Sequence, residues 1–304
     1  MPLHLRPRAE FDAKSRKSEQ ERQSVSGHSQ VYLQASAWAL WLPTCKTSPK
    51  PVLHNGLEDV EGVELEPRMT QLHPTVFLID VDNTLVDNDG IQQDLKDHLE
   101  QVYGLASRVR YWKILENLFD DLGYRDYLGA LQRYRMEHPR QVELLAMSSF
   151  LIDYPFAERL FPAALEVLER MRALAPTVIL SDGDVVFQPR KVERAGLWDA
   201  VDGHVLIYIH KEEALDDVEH RYPADHYVLV DDKPRILAAV KRVWGDRVTT
   251  VFPRQGSYAH DAKAISTLPS PDVTVETIGE LLDRDLLELR DAARPLPSKL
   301  RAAQ

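Results

Sequence analysis

A chain of 304 residues is long enough for two average domains or one large one, and either can bury a sizeable core. Asp and Glu number 48 against 37 Lys and Arg, a net charge of -11, so a broadly basic face for nucleic acid is not expected. The only cysteine is Cys45, which excludes an internal disulfide and favours a cytoplasmic setting. The most apolar N-terminal stretch, Val31 to Leu42, carries Gln34 and Ser36, is too short to span a bilayer, and follows a mixed-charge segment unlike a secretion signal.

Residues 1–69 show no sustained helical or strand period and read as a disordered extension. A compact domain could begin at Met69, in which case the extension is dispensable; the rival is that Trp38, Leu40 and Trp41 dock on the core or a partner. The first strand is the apolar run Val76-Phe77-Leu78-Ile79, which ends in the acidic turn Asp80-Val81-Asp82-Asn83-Thr84. Helical spacing follows: Ile91, Leu95, Leu99 and Val102 before Gly104, then Val109 to Leu122 before Gly123, with further apolar positions to Leu151. Residues 90–155 therefore form a helical module inserted after the first strand, either a lid over the acidic turn or further core helices.

From Tyr154 the pattern alternates. Pro162 can sit in the first turn of a helix through Leu174, and Thr177 to Leu180 is a second strand ending in Ser181-Asp182-Gly183-Asp184. A helix over Gln188 to Arg194 is closed by Gly196, and Val205 to Ile209 is a third strand ending at His210-Lys211. Glu212 to Arg221 reads as helix, Tyr227 to Val230 as a fourth strand ending at Asp231-Asp232, and Ile236 to Trp244 as helix. Val248 to Phe252 and Val273 to Val275 complete the strands, and Ile278, Leu281, Leu282 and Leu286 predict a tail helix before loose final residues. Alternation of this kind predicts an α/β fold: a Rossmann-like parallel sheet core over 70–89 and 156–276, an inserted α-helical cap domain over 90–155, and a C-terminal helix and tail over 277–304.

A parallel sheet puts the carboxyl ends of its strands on one edge, where open α/β sheets bind ligands. Here those ends carry Asp80 and Asp82, Ser181, Lys211, and Asp231 and Asp232. Carboxylates crowded at buried strand tips need a cation or a proton. This ordered set resembles the haloacid dehalogenase-like superfamily of phosphohydrolases, whose motifs are a strand with Asp-x-Asp-x-Thr, a strand with Ser or Thr, a Lys, and a strand with paired acids. The helical insertion also falls where that family carries one class of cap.

The resemblance implies a Mg2+-dependent phosphomonoester hydrolase acting on a small phosphorylated metabolite; charge and hydropathy add the expectation of no nucleic-acid or membrane partner. Asp80 would attack phosphorus and Asp82 would protonate the leaving alcohol, then activate water. Ser181 would donate to a phosphoryl oxygen. Lys211, preferred over Lys191 because it follows a strand, would pair with the phosphate and Asp80. The ion would lie between Asp80, the backbone carbonyl of Asp82, and Asp231, with Asp232 in the outer shell or on the ion. Arg235 stands where the family often has a further acid. Dehalogenases of the family lack the acid at Asp82, so its presence favours a phosphate ester. A sugar phosphomutase and a non-catalytic protein that binds a phosphorylated ligand remain as alternatives. Tyr124, Arg125, Tyr127, Arg133, Tyr134 and Arg135 are the candidate substrate contacts of the insertion, or else helix surface and core.

Overall fold

A computed structural model describes residues 72–260 and 262–293, so the expectations for residues 1–69 lie outside the described residues. The strands are β1 (Val76–Ile79), β2 (Thr177–Asp182), β3 (Val205–Tyr208), β4 (Tyr227–Val230), β5 (Val248–Pro253) and β6 (Val273–Val275). They form one six-stranded sheet in the order β3-β2-β1-β4-β5-β6, every pair parallel. The chain steps outward from β1 to β2 and β3, then returns to the other side of β1 to lay down β4, β5 and β6. The order thus reverses between β1 and β4, and a crevice opens there beyond the strand ends.

Alternate residues of β1 feed different layers. Phe77 and Ile79 join one apolar cluster, and Val76 and Leu78 another. All four are fully buried, as a central parallel strand covered on both faces requires.

Between β1 and β2 come α1 (Asn88–Tyr103), α2 (Leu105–Leu122), α3 (Tyr127–Glu137), α4 (Leu144–Ile152) and α5 (Ala164–Leu174). Helix α5 begins after Pro162, which therefore precedes its first turn rather than occupying it. After β2 come α6 (Phe187–Arg194) and α7 (Leu197–Ala200); α8 (Leu215–Arg221) follows β3, α9 (Pro234–Trp244) follows β4, and α10 (Ala262–Thr267) follows β5. Helix α6 carries Phe187, Gln188, Lys191 and Val192 buried, and its first amides, Val186 N and Phe187 N, donate to Asp184 Oδ1 at 2.8 and 2.7 Å. Asp184 is therefore a capping residue. Gly123 ends α2 at φ +80°, and a Cβ there would lie 2.4 Å from His210 Cε1. A side chain there would be strained at that φ and would have to displace the His210 ring, and glycine avoids both costs.

Three further expectations change. Strand β2 runs two residues further than the apolar run, so Ser181 lies inside it, in register with Ile207. The helix expected from Glu212 is a 3-10 turn, Lys211–Glu213, followed by the shorter α8. The expected tail helix is replaced by 3-10 turns, Ile278–Asp283 and Glu288–Ala292. Its backbone groups have found partners elsewhere: the guanidinium of Arg170 donates to the carbonyls of Leu281, Leu282 and Arg284, and Ile278 N donates to Gln255 Oε1. The apolar positions are nonetheless buried, Ile278 and Leu281 completely. Among the described residues no helix is long and apolar enough to cross a membrane.

The fold buries His226 just before β4, with Nε2 2.9 Å from Thr249 Oγ1. Burial, reinforced by Arg290 and Lys241, lowers its pKa to about 4 from an ordinary 6.5. A depressed histidine stabilises the fold fully above the unfolded value, and the contribution is lost as pH falls from about 6.5 toward 4. The Tm advantage of wild type over His226→Gln should therefore narrow steadily across that interval; a difference independent of pH would contradict it.

Candidate active site

The acidic turn after β1 is built by its own backbone. Val81 O accepts from Leu85 N at 2.9 Å and Val86 N at 3.0 Å, and Asn83 N donates to Val86 O at 2.7 Å. Asn83 sits at φ +59°, a left-handed conformation that asparagine tolerates better than most residues. Its side chain is fixed to Asp89, whose amide donates to Asn83 Oδ1 at 3.1 Å. The turn thus holds Asp80 at the strand tip, wholly buried, and leaves Asp82 partly open, with 24% of its side chain exposed.

The strand ends converge as the topology requires. Lys211 Nζ lies 2.5 Å from Asp80 Oδ1, 2.6 Å from Asp231 Oδ2 and 3.1 Å from the Leu180 carbonyl. One buried cation thus ties β1, β2 and β4 together. Its backbone is fixed too, because Lys211 N donates to Asp182 Oδ1 at 2.9 Å. Burial alone would lower the lysine pKa, but Asp231 and Asp80 hold it above its usual range. Asp182 is affected in the opposite sense: burial would raise it, yet Lys211 and Lys233 bring it below the ordinary carboxylate value.

Carboxylate oxygens of Asp80, Asp231 and Asp232 lie within 4.8 Å of one another, all buried. Their partners differ sharply. Asp231 Oδ1 accepts from the Lys233 amide at 2.8 Å, while Oδ2 is ion-paired with Lys211 at 2.6 Å without a hydrogen bond. Neither oxygen of Asp232 has a hydrogen-bond partner, and only its backbone is held, Asp232 N donating to Thr84 Oγ1 at 3.1 Å. Burial and the neighbouring Asp231 and Asp82 raise Asp80 to about 6 against the pull of Lys211. Burial likewise drives Asp232 well above the ordinary carboxylate range. An unpartnered buried carboxylate beside a second one, with oxygen donors only, fits a hard divalent cation. The sequence reading favoured Asp231 as ligand and left Asp232 in the outer shell or on the ion; both belong to this cluster with Asp80, and Asp232 is the one with no hydrogen bond at either oxygen.

Asp82 does not join that cluster through its side chain. Its Oδ1 accepts from Lys191 Nζ at 2.6 Å, and the same ammonium reaches Asn88 Oδ1 at 3.1 Å. Ser181 is buried, accepts from Gln188 Nε2 at 2.9 Å and donates a longer bond, 3.3 Å, to the Asp182 carbonyl. Both lysines weighed against each other in the sequence are thus present in the site, Lys211 on Asp80 and Lys191 on Asp82.

A cavity of about 280 Å³ opens onto this edge, walled by Asp82, Asp182, Asp232 and Lys233 on the sheet side and by Phe119, Tyr124 and Arg125 at the junction of α2 and α3. Of the candidate contacts in the insertion, Tyr124 and Arg125 line it. Tyr127 and Tyr134 are core residues, the latter stacked on His138 at 4.3 Å between ring centroids, and Arg133 and Arg135 are not lining residues. Arg235 lines the cavity but pairs with Glu212 at 2.8 Å. Sequence reasoning missed Gln188, Asn88 and Lys233, and weighed Lys191 only as a rival for the role given to Lys211. The only signal for Gln188 was its place three residues before Lys191 on the same face of α6.

No family model matches the chain, and neither does any curated protein. Among solved structures, it matches a protein from Burkholderia xenovorans described as a haloacid dehalogenase-like hydrolase at 63% identity and a TM-score of 0.68, covering 99% of that chain and 70% of this one. A haloacid dehalogenase-like family hydrolase from Xanthomonas campestris shares the fold, with 13% identity, a TM-score of 0.51, and coverage of 94% of that chain and 76% of this one.

Metal-free protein should carry a penalty at Asp232. Replacing it with Asn removes an unpartnered buried carboxylate and is expected to raise Tm in EDTA by several degrees, at about 2–4 °C per kcal/mol for a domain of this size. Added Mg2+ should raise the Tm of wild type and leave that of Asp232→Asn unchanged. Equal Mg2+ responses would remove Asp232 from the metal set.

Proposed function

This chain belongs to the haloacid dehalogenase-like hydrolases, and from that premise we propose that it is a phosphomonoester hydrolase acting on a small phosphorylated metabolite through an aspartyl-phosphate on Asp80. The observation that carries the reading is the division of labour between two carboxylates one residue apart. Asp80 is buried against Lys211, while Asp82 faces the cavity on a separate cation. A halide leaving group needs no proton, whereas an alkoxide does, and Asp82 is an acid/base available for that purpose.

In the first step a carboxylate oxygen of Asp80 bonds to phosphorus as the ester P–O bond breaks, and Asp82 gives its proton to the departing alkoxide. In the second, Asp82 takes a proton from water as the water oxygen bonds to phosphorus, releasing phosphate and restoring Asp80. Lys211 neutralises charge on Asp80 and on the phosphoryl oxygens, and Ser181 turns its hydroxyl from the Asp182 carbonyl to donate to one of them. Asp80, Asp231 and Asp232 would hold Mg2+, with the Asp82 carbonyl as the further ligand the family resemblance implies. When bound, the ion offsets the negative charge that otherwise keeps a phosphate dianion from a carboxylate.

The cavity suits a small anion-bearing substrate. Arg125 Nη1 is buried without a hydrogen-bond partner, its guanidinium 5.1 Å from the Phe119 ring, and is the natural contact for an oxygen-rich group remote from the ester. The insertion would then act as a lid, since Asp80 is fully buried and reaching it requires the edge to open. A cytoplasmic setting, favoured by the lone cysteine, belongs to the same reading.

A panel of phosphorylated metabolites with an aryl phosphate, each with and without Mg2+, tests the assignment. Turnover should require the metal, and Asp80→Asn should reduce it at least about 10³-fold while leaving the protein folded. Retained turnover in Asp80→Asn would refute the covalent route, and halide release from 2-haloacids without phosphatase activity would overturn the substrate class. On the best substrate, Arg125→Ala should raise KM roughly tenfold or more with kcat changed less than about threefold, the pattern of lost ground-state binding.

A further inference from the structure

Lys191 is the most fully enclosed cation that the chemistry above leaves without a task. Its side chain has 0% exposure although it sits mid-helix on α6, where lysines ordinarily reach solvent. A buried ammonium must be matched by nearby acceptors, and Lys191 has two: Asp82 Oδ1 at 2.6 Å and Asn88 Oδ1 at 3.1 Å. Asn88 begins α1, the first helix of the insertion, and Asp82 belongs to the turn after β1. One ammonium therefore fixes the acidic turn to both α6 and the base of the insertion.

The same helix face holds a second site residue. Gln188, almost one turn before Lys191, donates to Ser181 Oγ at 2.9 Å. With its N-terminus anchored by Asp184, α6 acts as a bracket whose inner face grips the hydroxyl on β2 and the carboxylate after β1. The geometry has a directional consequence at Asp82. Lys191 takes Oδ1 and draws the carboxylate away from the buried trio of Asp80, Asp231 and Asp232, and the residue lines the cavity where a leaving group would depart.

We propose that Lys191 is a positioning residue that holds Asp82, through its 2.6 Å contact, in the orientation required for proton transfer to and from the leaving oxygen, and that Asn88 completes its seat. The inference rests on the phosphatase reading and extends it to a residue outside the strand-end motifs. Lys191 touches neither phosphate nor metal in this scheme and acts only through Asp82. A general acid in place contributes about 10²–10⁴-fold, so losing its orientation should cost a substantial part of that range.

Lys191→Met keeps the length and apolar stem while removing the charge and both hydrogen bonds. In the folded variant, kcat should fall roughly 10–100-fold with KM within about threefold, and the Mg2+-induced rise in Tm should persist. The loss should be larger for an alkyl phosphate, whose alkoxide needs a proton, than for 4-nitrophenyl phosphate, whose phenolate leaves readily. A merely structural role would depress both substrates equally. The double-mutant cycle with Asp82→Asn is decisive: adding Lys191→Met to that variant should change kcat less than about twofold. Independent losses that multiply would overturn the inference. Should Lys191→Met fail to fold, Lys191→Arg carries the same cycle, and it is expected to retain more activity than Lys191→Gln. Absence of wild-type turnover on every phosphate ester would remove the phosphatase reading and this inference with it. Turnover with a leaving-group-independent Lys191→Met defect would remove this inference alone.

Discussion

Asp80, Asp231 and Asp232 are held with oxygens within 4.8 Å of one another in a buried corner, and nearly everything around them answers the resulting repulsion. Lys211 supplies one buried positive charge across Asp80 and Asp231. Breaking such a pair by removing one partner typically costs about 3–5 kcal/mol, because the surviving charges remain buried. Asp232 is left without that compensation, and a divalent cation is the simplest group able to supply it. The arrangement is poor as stabilising design and coherent as a hydrolase site, where fixed charges must already be aimed before the substrate arrives.

The sheet order is what makes this crowding possible. Because the chain reverses direction of growth between β1 and β4, the tips of these adjacent strands open into one crevice, and the turn after β3 carries Lys211 in from beyond β2. The helices of the insertion close the remaining side. Gly123 permits α2 to approach His210 closely, which sets Tyr124 and Arg125 opposite Asp182 and Asp232 across a cavity of about 280 Å³. Helix α6 then separates the two carboxylates of the acidic turn by giving Asp82 its own cation.

Much of this was legible in the sequence because strand ends are marked twice, by the end of an apolar run and by the polar residues that follow it. Val76 to Ile79 and Tyr227 to Val230 are strands with the expected bounds, and their acids sit at the tips as read. What could not be read depends on distance in space rather than in sequence. The ion pair of Asp231 with Lys211, its bond from the Lys233 amide and the lack of hydrogen bonds at Asp232 turn on where Lys211 and Lys233 fall in space. The sequence sets Lys191 behind Lys211 because it lies mid-helix rather than at a strand end, and periodicity cannot show that this face of α6 is covered by the acidic turn. The tail failed for a related reason. Ile278, Leu281 and Leu282 carry helical spacing, but the Arg170 guanidinium and Gln255 claim the backbone groups that a helix would have used.

The central claim is that Asp80 becomes covalently phosphorylated. Rapid quenching of wild-type protein during turnover of a phosphate ester, followed by borohydride reduction and peptide mass spectrometry, tests it directly. An acyl phosphate at Asp80 would be reduced to homoserine at that position alone, in a Mg2+-dependent manner, and would be absent in Asp80→Asn. Turnover with no modification at Asp80 under conditions that trap other acyl phosphates, or modification at a different carboxylate, would contradict the account.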